Sequence, residues 1–313
     1  MRKLLAIVLL PLSLVPVALA IPRVADERES FQARYLDRGA LPAPDVRVDV
    51  PRVPAYRDRI PVLAYHGIGD EGGRWTHTRE LFARHMAALA DAGLNTVSAD
   101  EYAAFVRGED VDLPPRPILL TFDDGRVDSF RGADAVLERH GFEATMFAIA
   151  GAAVEGSRTY LSPDELREMH ASGRWDIRFH GGDGHTRIET ERGLRPFYAG
   201  LEPGESVAAF RDRVADDLDD GLAELAEMVP EAELGDLFAV PYSDYGQARG
   251  GDMRLAAVMS HAALQRFDAL FVQRADVEPT RRGDRGVIAR YEPGATETPT
   301  HLLRALRQGL KEG

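Results

Sequence analysis

"PILLTFDDGRVDSFRGADAVLERHGFEATMFAIA", residues 117–150, is the stretch from which the fold is read. It opens with a short apolar run, PILLTF, of the kind expected for a buried strand. DSFRGADAVLERHG (128–141) then carries helical spacing and stops at Gly141, and EATMFAIA (143–150) is again strand-like. Strand, helix, strand in this order is one βαβ unit, and such units build parallel sheets.

The same alternation extends in both directions. Upstream lie IPVLAYHGI (60–68) and a helix over TRELFARHMAALADAGL (78–94), with Phe82, Met86, Leu89 and Leu94 on one side. Downstream, SPDELREMHASG (162–173) has Ser162 as N-cap, Pro163 at the first helical position and Glu165 to complete a capping box. Strands are then expected at WDIRFH (175–180), DLFAVPY (236–242), DALFVQ (268–273) and GVIARY (286–291). Helices fall near 205–228, over 252–267 and from about Thr298 onward. The chain is therefore of α/β class, with about seven strands and a closed or nearly closed (β/α) barrel expected over an open sheet. One domain is expected over 59–313.

Ahead of that domain the texture differs. MRKLLAIVLLPLSLVPVALA (1–20) has a basic start, an apolar run and Ala18-Leu19-Ala20 as a small-x-small cleavage signal, so a signal peptide or membrane anchor is expected. Pro11 and Pro16 disfavour a stable spanning helix, so membrane association is expected only through an uncleaved segment. Residues 21–58, rich in Pro, Arg and Asp, read as a linker or N-terminal arm. The rest of the chain is expected to act secreted or extracytoplasmic, as a monomer. The formal net charge is −13, which disfavours nucleic acid or anionic lipid as the main partner. There are no cysteines, so any metal must be held by His, Asp and Glu.

Three strand ends carry chemistry. TFDDG (121–125) follows the apolar strand, and residues at the C-terminal ends of barrel strands face the active site. Adjacent side chains on a strand point to opposite sides, so Asp123 and Asp124 need not share a task. FHGGDGH (179–185) places His180 and His185 around a glycine loop. Alone it could be two solvated imidazoles; on the same rim as Asp124 it becomes two histidines and a carboxylate, a familiar catalytic metal set. FAVPY (238–242) ends in Pro241-Tyr242, where the backbone N–H can face a developing oxyanion.

PVLAYHGI, ILLTFDDG, YLSPDELREMHASGRWDI, the histidine pair and FAVPYSDYG together resemble the polysaccharide deacetylase family, the NodB-homology carbohydrate esterases. The similarity covers about 59–295. It implies a distorted (β/α) barrel and metal-dependent removal of N-acetyl groups from a GlcNAc polymer, the N-acetylated polysaccharide being the partner. Carried over by position, Asp123 is the general base. Asp124, His180 and His185 hold one divalent ion, with zinc expected, and the Tyr242 N–H holds the oxyanion. The four-residue histidine spacing and PYSDYG resemble the exported poly-β-1,6-N-acetylglucosamine deacetylases.

Two departures stand out. Ala239 occupies the position of the usual arginine, so the tether of Asp123 must come from elsewhere: Arg290 is ranked first, Arg178 second, and Arg126 is expected to face solvent. The late Leu-x-His that supplies a general acid has no clear match. His66, at the end of the first strand, is the candidate for it, and His301 is expected on the surface. O-acetyl removal, peptidoglycan or chitin as polymer, and a carbohydrate-binding relative without catalysis remain alternatives.

Overall fold

A computed structural model describes residues 42–153, 157 and 159–312. The segment 1–20, expected as signal peptide or anchor, and the first part of the arm lie outside them. Seven parallel strands form the barrel: β1 (Val62–Tyr65), β2 (Pro117–Phe122), β3 (Ala144–Ala148), β4 (Trp175–Phe179), β5 (Leu237–Ala239), β6 (Ala269–Arg274) and β7 (Gly286–Tyr291). They pair in chain order from β2 to β7, and β1 closes the ring. On one side Val62 to Tyr65 run beside Leu119 to Phe122; on the other Leu63 sits opposite Tyr291. A two-residue strand, Asn95–Thr96, adds to the outside of β2.

Among the described residues seven α-helices accompany the strands: α1 (Arg79–Asp91), α2 (Ala99–Arg107), α3 (Val127–His140), α4 (Pro163–Ala171), α5 (Val207–Met228), α6 (Met253–Leu264) and α7 (Pro299–Glu312). Six match the sequence reading, and the capping box expected at Ser162 and Glu165 is present. The seventh, α2, is an addition. Among the described residues no helix is long and apolar enough to cross a membrane.

Strand alternation divides the core in two. Leu63, Tyr65, Leu120, Phe122, Met146, Trp175, Ile177, Phe179 and Phe238 point outward and pack under the helices. Val62, Leu119, Phe147, Ala239, Phe271 and Ile288 point into the barrel. Helix α2 seals that interior from the N-terminal ends of the strands, adding Tyr102, Phe105 and Val106. Its start is a capping box of Ser98 and Glu101, and Gly108 ends it at φ 83°. Asp176 on β4 accepts from the Ala99 N–H at 2.6 Å, and Arg107 pairs with Asp268, just before β6. With that mouth filled, the open end is the C-terminal rim.

The described part of the arm lies against this domain. Val53 is buried and donates its N–H to Ala92, while Ala43, Val46, Val48 and Val50 pack on the outer core. Arg59–Ile60 then pairs with Thr280–Arg281.

Candidate metal and catalytic centre

The ends of β1, β2, β4, β5 and β6 meet in a cleft of about 400 Å³ at the C-terminal rim. His66, Asp123, Asp124, His180, His185 and Tyr242 all line it. A cavity of similar size, about 380 Å³, lies between residues 190–205 and 250–255 and holds none of these groups.

Asp123 is 1% exposed and Arg290 is fully buried. The guanidinium grips the carboxylate with both terminal nitrogens, Nη1 to Oδ1 at 2.7 Å and Nη2 to Oδ2 at 2.6 Å, a bidentate pair. Nη1 also donates to Thr121 Oγ1 at 3.1 Å, and the Phe147 and Phe271 rings flank the cation. Burial alone would raise the Asp123 carboxyl; Arg290, with His180 and His66, reverses this and holds it below its ordinary value. Arg290 is thus in the place ranked first for the tether. It sits on the last strand, where Ala239 cannot serve.

Arg178 is not there. It does share the inward side of β4 with His180, as strand parity requires, but its guanidinium runs to the opposite mouth. There it pairs with Asp236 at 2.7 Å and with Asp100 on α2. A side chain of that length can turn either way along the barrel axis, and these two carboxylates decide it. Arg126 is likewise engaged rather than free, gripping Asp128 at 2.8 and 2.6 Å.

Asp124 adopts φ 76°, a left-handed conformation uncommon outside glycine. This kink sends its carboxylate away from Asp123, toward the histidines. Its Oδ1 is 3.5 Å from His180 Nε2 and 3.4 Å from His185 Nε2. One donor atom from each residue lies within 4.8 Å of the others. Burial alone would raise the Asp124 carboxyl, but bonding to the two imidazoles holds it well below the usual range. His180 Nδ1 donates to the Ala239 carbonyl at 2.7 Å. That bond fixes the tautomer and turns the Nε2 lone pair to the cleft, the usual support for a metal-ligating histidine. Two imidazoles and an ionised carboxylate with free lone pairs fit a divalent ion.

Tyr242, 42% exposed, follows β5 at φ 57°, and Ser243 follows at 52°. The turn is held by Ser243 Oγ, which accepts from the Gln273 N–H at 2.8 Å, and by the Tyr242 ring against His185, centroids 5.0 Å apart. Ser243 and Asp244 donate their N–H groups to Val240 and Pro241. Among the described residues no such bond engages the Tyr242 N–H.

His66 Nδ1 is 2.9 Å from Glu292 Oε1, and its Nε2 is 3.8 Å from Asp123 Oδ2. Burial alone would lower the imidazolium; Glu292, with Asp123 and Asp124, lifts it above its ordinary value. Trp75, 46% exposed, lies over this ring at 5.1 Å. His301 is exposed, as expected. His77 and His85 are buried partners of the Pro293 and Glu297 carbonyls, and burial brings His85 down to about 4. Trp175 is core.

Three partners were missed in the sequence: Glu292 for His66, Gln273 for Asp123 at 3.5 Å, and Asp217 for the glycine loop. Parity on β7 would have found the first, since Arg290 and Glu292 stand two residues apart.

The fold and site together define a closed seven-stranded (β/α) barrel with an Asp-His-His group beside an arginine-held aspartate. Comparison with known proteins shows what the chain is similar to. Residues 110–254 match the profile of the family described as Polysaccharide deacetylase. YxkH of Bacillus subtilis (strain 168), which carries the name of a polysaccharide deacetylase, is 32% identical over 115 residues, covering 37% of this chain. The match spans 40% of the length of that relative. A de-N-acetylase from Aggregatibacter actinomycetemcomitans shares the fold with a TM-score of 0.67 at 20% identity, over 79% of this chain and 99% of its own. IcaB from Ammonifex degensii does so at 0.63 and 23%, over 80% and 98%. The resemblance to polysaccharide deacetylases is thereby shown, and the barrel with it. Asp123, Asp124, His180, His185 and Tyr242 lie within the matched segment; His66, Arg290 and Glu292 lie outside it.

Proposed function

We propose that the chain is a metal-dependent hydrolase that removes N-acetyl groups from a GlcNAc-containing polysaccharide outside the cytoplasmic membrane. The observation that carries this reading is the pairing, on one rim, of a buried Arg290-held Asp123 with the Asp124-His180-His185 group. The named de-N-acetylase with the same fold supports the reaction type. The export-like segment 1–20 supports the location.

A divalent ion held by Asp124, His180 and His185, zinc by its donor set, would supply polarisation of the acetamide carbonyl and acidify a water. The chain's own groups do the rest. Asp123, kept ionised and in one rotamer by Arg290, accepts the proton of the attacking water. The Tyr242 N–H donates to the carbonyl oxygen as negative charge develops there. His66 lines the cleft with Glu292 Oε1 2.9 Å from its Nδ1, so a protonated imidazole can hand its Nε2 proton to the leaving nitrogen. This last step favours amide over ester, because an amine leaves from the tetrahedral adduct only once protonated. Trp75 and Tyr242, partly exposed beside the reacting groups with Arg74 and Arg187 over their rings, would border a bound sugar.

The test is acetate release from a panel of GlcNAc oligomers of defined linkage, run beside O-acetylated sugars and peptidoglycan fragments. Release from β-1,6-linked N-acetylglucosamine above the rest supports the reading. Turnover of O-acetyl groups alone, or binding without turnover, overturns it.

A further inference from the structure

We infer that Asp217, acting with Tyr198, is a positioning residue that sets His185 in the ion-holding group; this rests on the reading that Asp124, His180 and His185 bind the ion. The two histidines are supported differently. His180 ends strand β4, with its N–H bonded to Ala148 at 2.9 Å and its ring to Ala239. His185 has no strand beneath it. It is delivered by Gly181, Gly182, Asp183 and Gly184, and three glycines would leave its ring free unless something fixes their backbone.

That support comes from the middle of α5. The Asp217 carboxylate accepts from the Gly184 N–H at 2.6 Å, from the Gly182 N–H at 3.4 Å, and from the Tyr198 hydroxyl. The fit leaves no room for side chains on the loop. A Cβ on Gly184 would lie 2.6 Å from both Asp217 Oδ2 and Tyr198 Oη, and one on Gly182 would lie 3.2 Å from Gly221 Cα. One turn along α5, a Cβ on Gly221 would lie 2.9 Å from the Phe179 ring, so the helix meets β4 and the loop flush. One turn the other way, Arg213 donates to the Phe197 and Gly200 carbonyls at 3.1 and 2.9 Å and pairs with Glu205. It thereby ties down the segment that brings Tyr198 in. Arg213, Asp217 and Gly221, spaced by four, form one helix face shaped to the loop.

A half-buried carboxylate with no salt-bridge partner among the described residues is a costly way to gain stability, and burial pushes the Asp217 carboxyl up. Three convergent donors at fixed angles give it position instead. The two N–H groups it holds belong to Gly182 and Gly184, three and one residues before His185, so the backbone that carries the imidazole can shift only by breaking them.

The experiment is zinc affinity of the metal-stripped full chain, read by competition with a chromophoric chelator, with the melting temperature of each metal-free protein alongside. Groups that orient metal ligands typically contribute 10–100-fold to metal affinity. Asp217→Asn, whose amide cannot accept from all three donors, should lose about that much while its metal-free melting temperature stays close to the parent's. A folded Asp217→Asn with unchanged zinc affinity overturns the inference. Should that variant not fold, Tyr198→Phe decides: a severalfold weaker affinity in a folded protein supports the inference, and an unchanged one overturns it. A parent chain that binds no zinc, or a His185→Ala variant that binds it as tightly as the parent, overturns the assignment of the ion site itself.

Discussion

Replacing Arg290 with Met isolates the tether from everything else in the site. Methionine keeps the unbranched stem and ends short of the place where the guanidinium lies against Phe147 and Phe271, so the change removes the charge and the donors and keeps the apolar part. What it leaves is a buried Asp123 carboxylate with Gln273 at 3.5 Å and His66 at 3.8 Å as remaining partners. Removing one member of a buried ion pair typically costs about 3–5 kcal/mol, because the other charge stays behind uncompensated. The sign with pH follows from Asp123 being held below its ordinary value. In the parent the pair's contribution is present above the unfolded-state pKa and is lost as pH falls through the folded one. The difference between parent and Arg290→Met should therefore be largest at neutral pH and shrink toward acid, where the variant's Asp123 takes up a proton. The acidic limb of acetate release should move to higher pH, and turnover on its plateau should fall as a base without a fixed rotamer loses part of its 10²–10⁴-fold effect. Denaturant unfolding at several pH values and a pH–rate profile read both. Equal stability at neutral pH together with an unmoved acidic limb would refute the reasoning.

The remaining expectations follow from the same distances. Glu292→Gln removes the partner that, with Asp123 and Asp124, lifts His66, so His66 should lose its proton at lower pH and the alkaline limb should shift to lower pH; an unshifted limb would leave His66 without a role as acid. His185→Ala should cut zinc affinity and activity together, whereas His301→Ala, at an exposed position, should change neither. Phe105→Ala empties part of the plug at the closed mouth and should cost about 3–5 kcal/mol in unfolding free energy with zinc affinity unchanged.

The barrel was legible because each strand is an apolar run and each crossover helix has its own start or stop signal. The ranking of Arg290 was legible from topology: the last strand of a closed barrel lies against the first, and Leu63 does pair with Tyr291. Parity on β4 placed Arg178 on the inner side correctly but could not say toward which mouth its guanidinium runs. Asp236 and Asp100 settle that, and neither announces itself in sequence. Helix α2 was missed despite the Ser98–Glu101 box and Gly108, because nine residues with an apolar face of Tyr102, Phe105 and Val106 give little periodicity. Asp217 was hidden for a different reason. On the acidic helix α5 it is one carboxylate among many, and only the approach of Gly182 and Gly184 distinguishes it.

The central claim is that Asp123 and the Asp124-His180-His185 group divide proton transfer and ion binding between them. The direct measurement is acetate release from poly-N-acetylglucosamine by chelator-stripped and zinc-reloaded protein, parent beside Asp123→Asn, with bound zinc determined on the same samples. The account predicts that stripping abolishes release, that zinc restores it in the parent, and that Asp123→Asn takes up the same zinc while losing turnover by about 10²–10⁴-fold. Release that survives stripping, or an Asp123→Asn protein that is as active as the parent, would contradict it.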